Sequence, residues 1–191
     1  TIKRLYIAYT KRMRDEVGVK FQTVIHNLAN VDYEGVIVIK NDVTDSGEVA
    51  SAAVWWFTGA SAGCLVNRSN TNKTYDGEYT INTNYKQSEL TQGIKDGYLM
   101  FHKVGDKVKV LNDVNSFTSV TTYKNSDFCL SQVIRVLDQI GNDIAALFNA
   151  QYLGKVQNDN SGRVSFWKDI VFYHQQLEQI QAIENFVPKD V

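Results

Sequence analysis

The segment Gly59-Ala60-Ser61-Ala62-Gly63 has the spacing of a nucleophile elbow, the turn that carries the reactive serine of many hydrolases. His102 and His174 follow it along the chain and are the candidate general bases. An elbow needs a strand before the serine and a helix directly after it, because that turn exposes the hydroxyl. Residues 64–84 are among the least helical of the chain. The composition therefore favours a structural role for this segment, in which its small residues let a helix approach a sheet closely. A small serine hydrolase built on Ser61 is kept as an alternative.

The residues that most often bind metals do not form a metal-binding motif in this sequence. Cys64 and Cys129 each lie in an apolar stretch without a second cysteine or a histidine at ligand spacing, which argues against a disulfide framework and a structural zinc site. Residues 157–168 have some of the spacing of a calcium loop, but Lys168 occupies the position of its bidentate glutamate. We therefore expect a polar turn there, and the residues indicate no metal and no cofactor.

The hydrophobic pattern predicts a protein of the α/β (α+β) class. Runs of β-formers at 19–26 and 33–39 predict neighbouring strands, and 98–103 with 107–111 predicts a β-hairpin. Gly141 falls inside a predicted helix, where glycine costs about 1 kcal/mol relative to alanine, and close packing is the expected reason. The predicted helices are 3–17, 48–62 with Ser46 as its cap, 87–95, 131–153 and 165–181.

The remaining segments indicate how the chain is organised. Residues 67–84 are rich in Asn and Thr and predict a long loop, and the Trp55-Trp56-Phe57 cluster is expected in the core. Residues 49–67 carry no charge, but their polar side chains favour a buried helix of a soluble core over a membrane span. The change in composition predicts a domain boundary near 112–116, with a linker that is short for two independent domains.

Length and charge exclude several classes of protein. The 191 residues can build a core without disulfides or metals. The chain has 20 Lys plus Arg against 21 Asp plus Glu, a formal net charge of -1, which argues against a protein built to neutralise nucleic-acid phosphates. A generic soluble interaction domain remains a further alternative on these grounds.

Five stretches of the second half carry a recognisable pattern. They are Val110-Leu111-Asn112-Asp113-Val114-Asn115-Ser116-Phe117, Gln132-Val133-Ile134-Arg135-Val136-Leu137-Asp138, Tyr152-Leu153-Gly154-Lys155-Val156, Gly162-Arg163-Val164-Ser165-Phe166-Trp167 and Ala182-Ile183-Glu184-Asn185-Phe186. Together they resemble the C-terminal region of contractile phage tail sheath proteins, as found in myophages, defective prophages and tail-like bacteriocins of Gram-positive bacteria. The resemblance extends less specifically over 21–38 and 51–63, and so covers nearly the whole chain.

The resemblance implies a structural subunit and no enzyme. Sheath subunits stack around an inner tail tube, then contract and drive the tube through a target cell envelope, without cofactors or covalent chemistry. The implied particle is a virion or a phage tail-like particle, assembled in the bacterial cytoplasm, with no bound nucleic acid and no membrane insertion.

The resemblance also implies a domain division. Residues 1–112 correspond to the end of the central sheath α/β domain, with a mixed sheet flanked by helices. Residues 113–191 correspond to the C-terminal domain, with two long amphipathic helices packed on a small sheet and truncated before its last strand.

Partners follow from the same resemblance. In the family, terminal arms reach into neighbouring subunits and add strands to their sheets. This chain is expected to lack both arms, which would leave a sheet edge unpaired and the fragment monomeric. The family contacts the inner tube through the C-terminal domain, largely by charge. Lys155, Arg163 and Lys168 surround the turn between the two long helices and are the candidate tube contacts, with a solvated turn as the alternative.

Overall fold

The computed structural model describes residues 22–45 and 51–189, and it confirms the α/β class. The predicted helix 3–17 and the proposed cap Ser46 lie outside the described residues. In the described part, three parallel strands and an antiparallel hairpin pack with short helices, and two long helices follow at the C-terminal end.

A three-stranded parallel sheet forms the centre of the protein. Strand β1 (Thr23–His26) pairs with β2 (Val36–Ile39), and β2 pairs with β3 (Tyr98–Leu99). Consecutive residues of β1 and β2 are buried, as expected for a parallel sheet covered on both faces. The connection from β1 to β2 contains no helix. It turns through residues with positive φ, namely Asn27, Asn30 and Asp32, types that tolerate the left-handed conformation.

The predicted hairpin is present. Strands β4 (Phe101–Val104) and β5 (Lys107–Val110) pair antiparallel around the two-residue turn Gly105-Asp106. Phe101 and Val110 face each other and are fully buried. Because side chains alternate along a strand, His102, Val104, Lys107 and Lys109 share the opposite face of the hairpin.

Helix α1 (Ala53–Ala62) covers the core, and helix α2 (Gln87–Lys95) precedes β3 within its predicted bounds. The expectation for the aromatic cluster on α1 holds in part. Phe57 is fully buried, and Trp56 packs on Phe101 at a ring-centroid distance of 5.8 Å. Trp55, by contrast, is 54% exposed. The core cluster includes Val24, Ile37, Ile39, Phe57, Leu99, Phe101 and Val110.

The segment 67–84 is irregular, as predicted, but two isolated bridges tie it to the rest of the fold. Thr74 forms an antiparallel bridge with Lys109 of β5, and Val43 forms one with Ile81. Among the described residues, no helix is long and apolar enough to span a membrane.

The two long C-terminal helices are present with altered bounds. Helix α3 (Ser131–Leu147) ends in a π-helical turn (Phe148–Tyr152), and Gly154 follows with φ 71°. Helix α4 (Asn160–Gln179) begins five residues before its predicted start, because the Asp159 side chain accepts a hydrogen bond from the Gly162 amide at 2.8 Å. The same contact gives Asp159 of the calcium-like segment a capping role.

Apolar residues repeat at helical spacing along α3, at Val133, Leu137, Ile140, Ile144 and Phe148, which predicts a buried stripe, but this stripe is only partly buried. Leu137 is 46% exposed and Phe148 is 40% exposed, whereas Ile134 and Val136 are buried. The described residues after Val110 form no further strand, so the small sheet expected beneath the two helices is not formed by them. Among the described residues, no atom outside its own helix backbone lies within 4 Å of a Cβ placed on Gly141, so their packing does not explain that glycine.

Candidate functional site

The nucleophile elbow is not formed. Ser61 lies in the last turn of α1, so a helix directly precedes it where an elbow needs a strand, no helix directly follows it, and its hydroxyl is buried. The Nδ1 atom of His174 lies 2.8 Å from the Ile170 carbonyl oxygen, and its ring stacks on Phe186. Within the described ranges, no group of three or more His, Cys, Asp or Glu side chains could hold a metal ion.

The segment Asp113–Phe117, which we call the junction segment, links the central sheet to the long helices. All five of its residues are buried. The Ser116 amide donates to the Val36 carbonyl of β2 at 2.8 Å, and the Ser131 amide at the start of α3 donates to the Asp113 carbonyl at 3.0 Å. Val114 also forms an antiparallel bridge with Leu130. The predicted boundary region is therefore a buried connection between two packed parts and differs from a flexible linker.

An ion pair lies at one end of the junction segment. The guanidinium Nη2 of Arg135 donates to Oδ2 of Asp113 at 2.7 Å, and the side chains are 13% and 1% exposed. The same Nη2 donates to the Arg68 carbonyl at 3.2 Å, and the backbone N–H of Asn70 donates to Oδ2 of Asp113 at 2.9 Å. The pair thus joins α3, the junction segment and the loop after α1. Its hydrogen bonds compensate for burial only in part, because Oδ1 of Asp113 and Nε and Nη1 of Arg135 are buried without a hydrogen-bond partner among the described residues.

The loop between β1 and β2 contacts the other end of the junction segment. Ser116 Oγ donates to the Tyr33 carbonyl at 2.9 Å, and the Thr118 and Ser119 amides donate to Oδ1 of Asp32 at 2.7 and 3.0 Å. The Ser119 hydroxyl and these backbone amides lower the pKa of Asp32 to about 2. The carboxylate is therefore ionised at neutral pH and holds the loop against the chain that follows the junction segment.

Two buried asparagine side chains add further connections by forming hydrogen bonds with backbone amides and carbonyls. Asn115 accepts from the Phe117 amide at 2.9 Å and donates to the Phe128 carbonyl at 2.8 Å. Asn41, two residues after the end of β2, accepts from the Phe101 amide at 2.8 Å and donates to the Phe101 carbonyl at 2.9 Å. Both side chains are fully buried, so their hydrogen bonds fix where β4 and the junction segment lie.

The three candidate cations are all exposed around the turn between α3 and α4. Lys155 Nζ donates to the Ala150 carbonyl at 2.6 Å, and Arg163 Nε donates to Oδ1 of Asn158 at 2.9 Å. Both contacts are to neutral groups of the turn. Lys168 lies five residues beyond Arg163 on α4, about 7.5 Å further along the helix axis. In the part of the chain that the structure describes, none of the three forms an ion pair.

Sequence reasoning assigned no role to Asp113 or Arg135. Arg135 is the only charged residue between Ser131 and Leu137 on α3, flanked by Ile134 and Val136. A lone cation inside an apolar helical run is a signal for a buried ion pair. The pattern gives no indication of the partner, which lies 22 positions earlier in the chain.

Two family models match consecutive parts of the chain. The model described as the phage tail sheath protein central domain matches residues 1–116. The model described as the phage tail sheath C-terminal domain matches residues 123–191. Together they span both sides of the junction segment.

Individual relatives agree with these models. The chain is 35% identical to the phage-like element PBSX protein XkdK of Bacillus subtilis, over 75% of this chain and 32% of that protein. It is 22% identical to the tail sheath protein of Clostridium phage phiCD119, over 96% of this chain and 51% of that protein. The crystal structure of the sheath tail protein from Desulfitobacterium hafniense matches with a TM-score of 0.83 at 35% identity, over 98% of this chain and 45% of that one. The chain thus spans about a third to a half of the length of these proteins.

Proposed function

The chain belongs to the phage tail sheath protein family, and we propose that it is part of the subunit that polymerises around an inner tail tube and contracts to drive the tube through a target envelope. The observation that supports this proposal best is the pair of consecutive family matches, which together cover nearly the whole chain. The family is a structural one, and we assign the chain no catalytic role. We place the division between its two domains at residues 112 and 113.

The junction segment suits a subunit that must transmit force. A sheath subunit that reorients during contraction has to move its tube-facing part together with the part that contacts its neighbours. Here the buried pair Asp113–Arg135 and the amide contact of Ser116 to β2 join the central sheet to α3. Closely packed interiors transmit displacement because they deform little. We infer that the central sheet and the start of α3 move as one body during contraction.

We further propose that the turn between α3 and α4 contacts the tube. Lys155, Arg163 and Lys168 are exposed there, and their described partners are neutral, so their charges are available to an acidic surface. Exposed charges of one sign attract a complementary surface and raise the association rate more than the affinity. A tube protein with an acidic outer face is the partner that this arrangement fits.

Neighbouring sheath subunits are the second class of partner. Terminal arms that add strands to a neighbour's sheet would link the assembly while the subunits move. In this proposal the particle is a phage tail or a tail-like device, assembled in the bacterial cytoplasm, and residues 1–191 are monomeric or only weakly associated by themselves.

Electron microscopy tests the proposal directly. The protein is expressed at its full natural length, with and without its tube protein, and both preparations are imaged in negative stain. Striated hollow cylinders are expected when the two proteins are present together. Dispersed particles in both preparations, from protein that is folded by circular dichroism, would count against a sheath subunit. The triple variant Lys155→Glu, Arg163→Glu, Lys168→Glu should still form sheath contacts but lose the enclosed tube.

A further inference from the structure

A groove runs between α3 and α4. Its volume is about 260 Å³, and its floor is formed by apolar side chains that include Ile144, Leu147 and Phe172. Phe172 is 60% exposed, which is unusual for an aromatic side chain on a helix without a partner surface. We call this feature the interhelical groove. Its apolar floor makes it a candidate interaction surface.

Two carboxylates line the walls of the interhelical groove, and both have neutral partners. Asp143 accepts from the Tyr173 hydroxyl at 2.6 Å and from Nε2 of Gln139 at 2.7 Å. Asp169 accepts from the Tyr152 hydroxyl at 2.5 Å. Among the described residues, no cation pairs with either carboxylate. The groove therefore combines an apolar floor with two negative charges that no described residue neutralises.

The outer face of the β4–β5 hairpin has the opposite character. Val104 is 45% exposed beside the turn, and Lys107, its cross-strand partner, is exposed as well. Lys109 lies further along the same face and donates to Oδ1 of Asn72 at 3.0 Å, a neutral partner. Neither lysine forms an ion pair within the described ranges. We call Val104, Lys107 and Lys109 the hairpin face: one exposed apolar side chain beside two cations.

We propose that the hairpin face of one copy docks into the interhelical groove of a second copy. Val104 would contact the apolar floor at Phe172, and the two lysines would approach Asp143 and Asp169. The fit rests on charge complementarity, which also disfavours groove-to-groove and hairpin-to-hairpin pairing because like charges would meet. The proposal rests on the proposed function only in taking the partner to be another copy of this chain.

The two surfaces differ, so the contact is heterologous. A heterologous contact leaves one hairpin face and one groove free at the ends of every dimer. Further copies can then add, and the contact repeats into a ring or an open helix. A contact of this type is what a cylindrical assembly of identical subunits requires.

Disulfide trapping between two single-cysteine chains tests the docking. In a background in which the free residues Cys64 and Cys129 are replaced by serine, chains with Val104→Cys are mixed with chains with Phe172→Cys under mild oxidation. The full-length protein is used, and the cross-linked dimer is quantified by electrophoresis. We expect a specific dimer band. A mixture of Val104→Cys with Tyr123→Cys gives the collision background, because Tyr123 is 94% exposed and lies outside the groove.

Charge reversal distinguishes docking from collision. Adding Lys107→Glu and Lys109→Glu to the Val104→Cys chain should lower the dimer yield about tenfold or more. The matched control is Lys86→Glu with Lys189→Glu, which changes the same charge at two exposed lysines elsewhere and should leave the yield unchanged. Combining the hairpin reversal with Asp143→Lys and Asp169→Lys on the partner chain should restore the band. Yields that match the collision background, or equal yields for hairpin reversal and control, would overturn the docking.

This test separates the docking from the proposed function. Cylinders in the electron microscope without the specific cross-link would support the sheath assignment and overturn the docking. A specific, charge-dependent cross-link from protein that never forms cylinders would support the docking and count against the sheath assignment.

Discussion

The most informative perturbation removes one partner of the buried pair at the junction segment. Arg135→Met keeps the apolar stem of the side chain but leaves the carboxylate of Asp113, which is 1% exposed, without its cation. Breaking a buried pair in this way costs about 3–5 kcal/mol, because the remaining charge stays desolvated. Asp113 keeps its hydrogen bond from the backbone N–H of Asn70, so we expect the loss in free energy of unfolding to lie near the lower end of this range, at about 3 kcal/mol.

The assay is thermal and urea unfolding of the variant and the parent side by side. For a protein of this size, about 3 kcal/mol corresponds to a fall in Tm of about 6–12 °C. The matched control is Lys124→Met, which removes the cation of the more exposed pair Lys124–Glu34, whose side chains are 39% and 18% exposed. That change should cost about 0–1 kcal/mol.

Two results would refute this reasoning. One is a loss of stability for Arg135→Met no larger than that for Lys124→Met, which would mean that the Asp113 carboxylate reaches water or another donor. The other is strict additivity in a double variant. Asp113→Leu together with Arg135→Met buries no charge, so it should lose less stability than the two single changes added together.

Three further predictions follow from the same structure. Lys155→Glu with Lys168→Glu should weaken co-sedimentation with the tube protein, and parent binding should fall steeply with added salt because the contact is electrostatic; salt-independent binding would contradict the tube contact. Asp32 has a pKa lowered to about 2. Its carboxylate therefore contributes fully to stability at pH values above the ordinary pKa of 3.8, and this contribution is lost as the pH falls through about 2. In Tm measurements across that pH window, Asp32→Asn should lack this component of the acid dependence. Gly141→Ala should stabilise the protein by about 1 kcal/mol in urea unfolding, since no described atom outside the helix backbone lies within 4 Å of the new Cβ and alanine is the better helix former; a destabilised variant would show that the glycine has a packing role.

Local patterns predicted most elements of the fold correctly. The hairpin from Phe101 to Val110, helix α2 and the two long helices follow from alternation, helical periodicity and turn residues, all of which act over a few positions. Element ends were less accurate. Helix α4 begins at Asn160 because Asp159 caps it, and the π-helical turn after Leu147 has no signal in a pattern of period 3.6.

The candidate site was predictable only in part. Lys155, Arg163 and Lys168 were identified because they are close in sequence, and the structure leaves all three exposed. The interhelical groove was not predicted. The apolar stripe of α3 indicates a buried face, yet the structure exposes Leu137. Periodicity identifies an apolar face but does not specify what covers it.

The sequence by itself determined the α/β class, the order of the elements and the resemblance to sheath proteins, because these depend on local residue patterns and on motifs that can be recognised one after another. Tertiary structure decided that the neighbouring strands β1 and β2 are parallel and are joined by β3, that Asn41 bridges to Phe101, and that Asp113 pairs with Arg135. Each of these contacts joins residues far apart along the chain. Its energy depends on burial and exact geometry that exist only once the whole core has packed, so no local pattern encodes it.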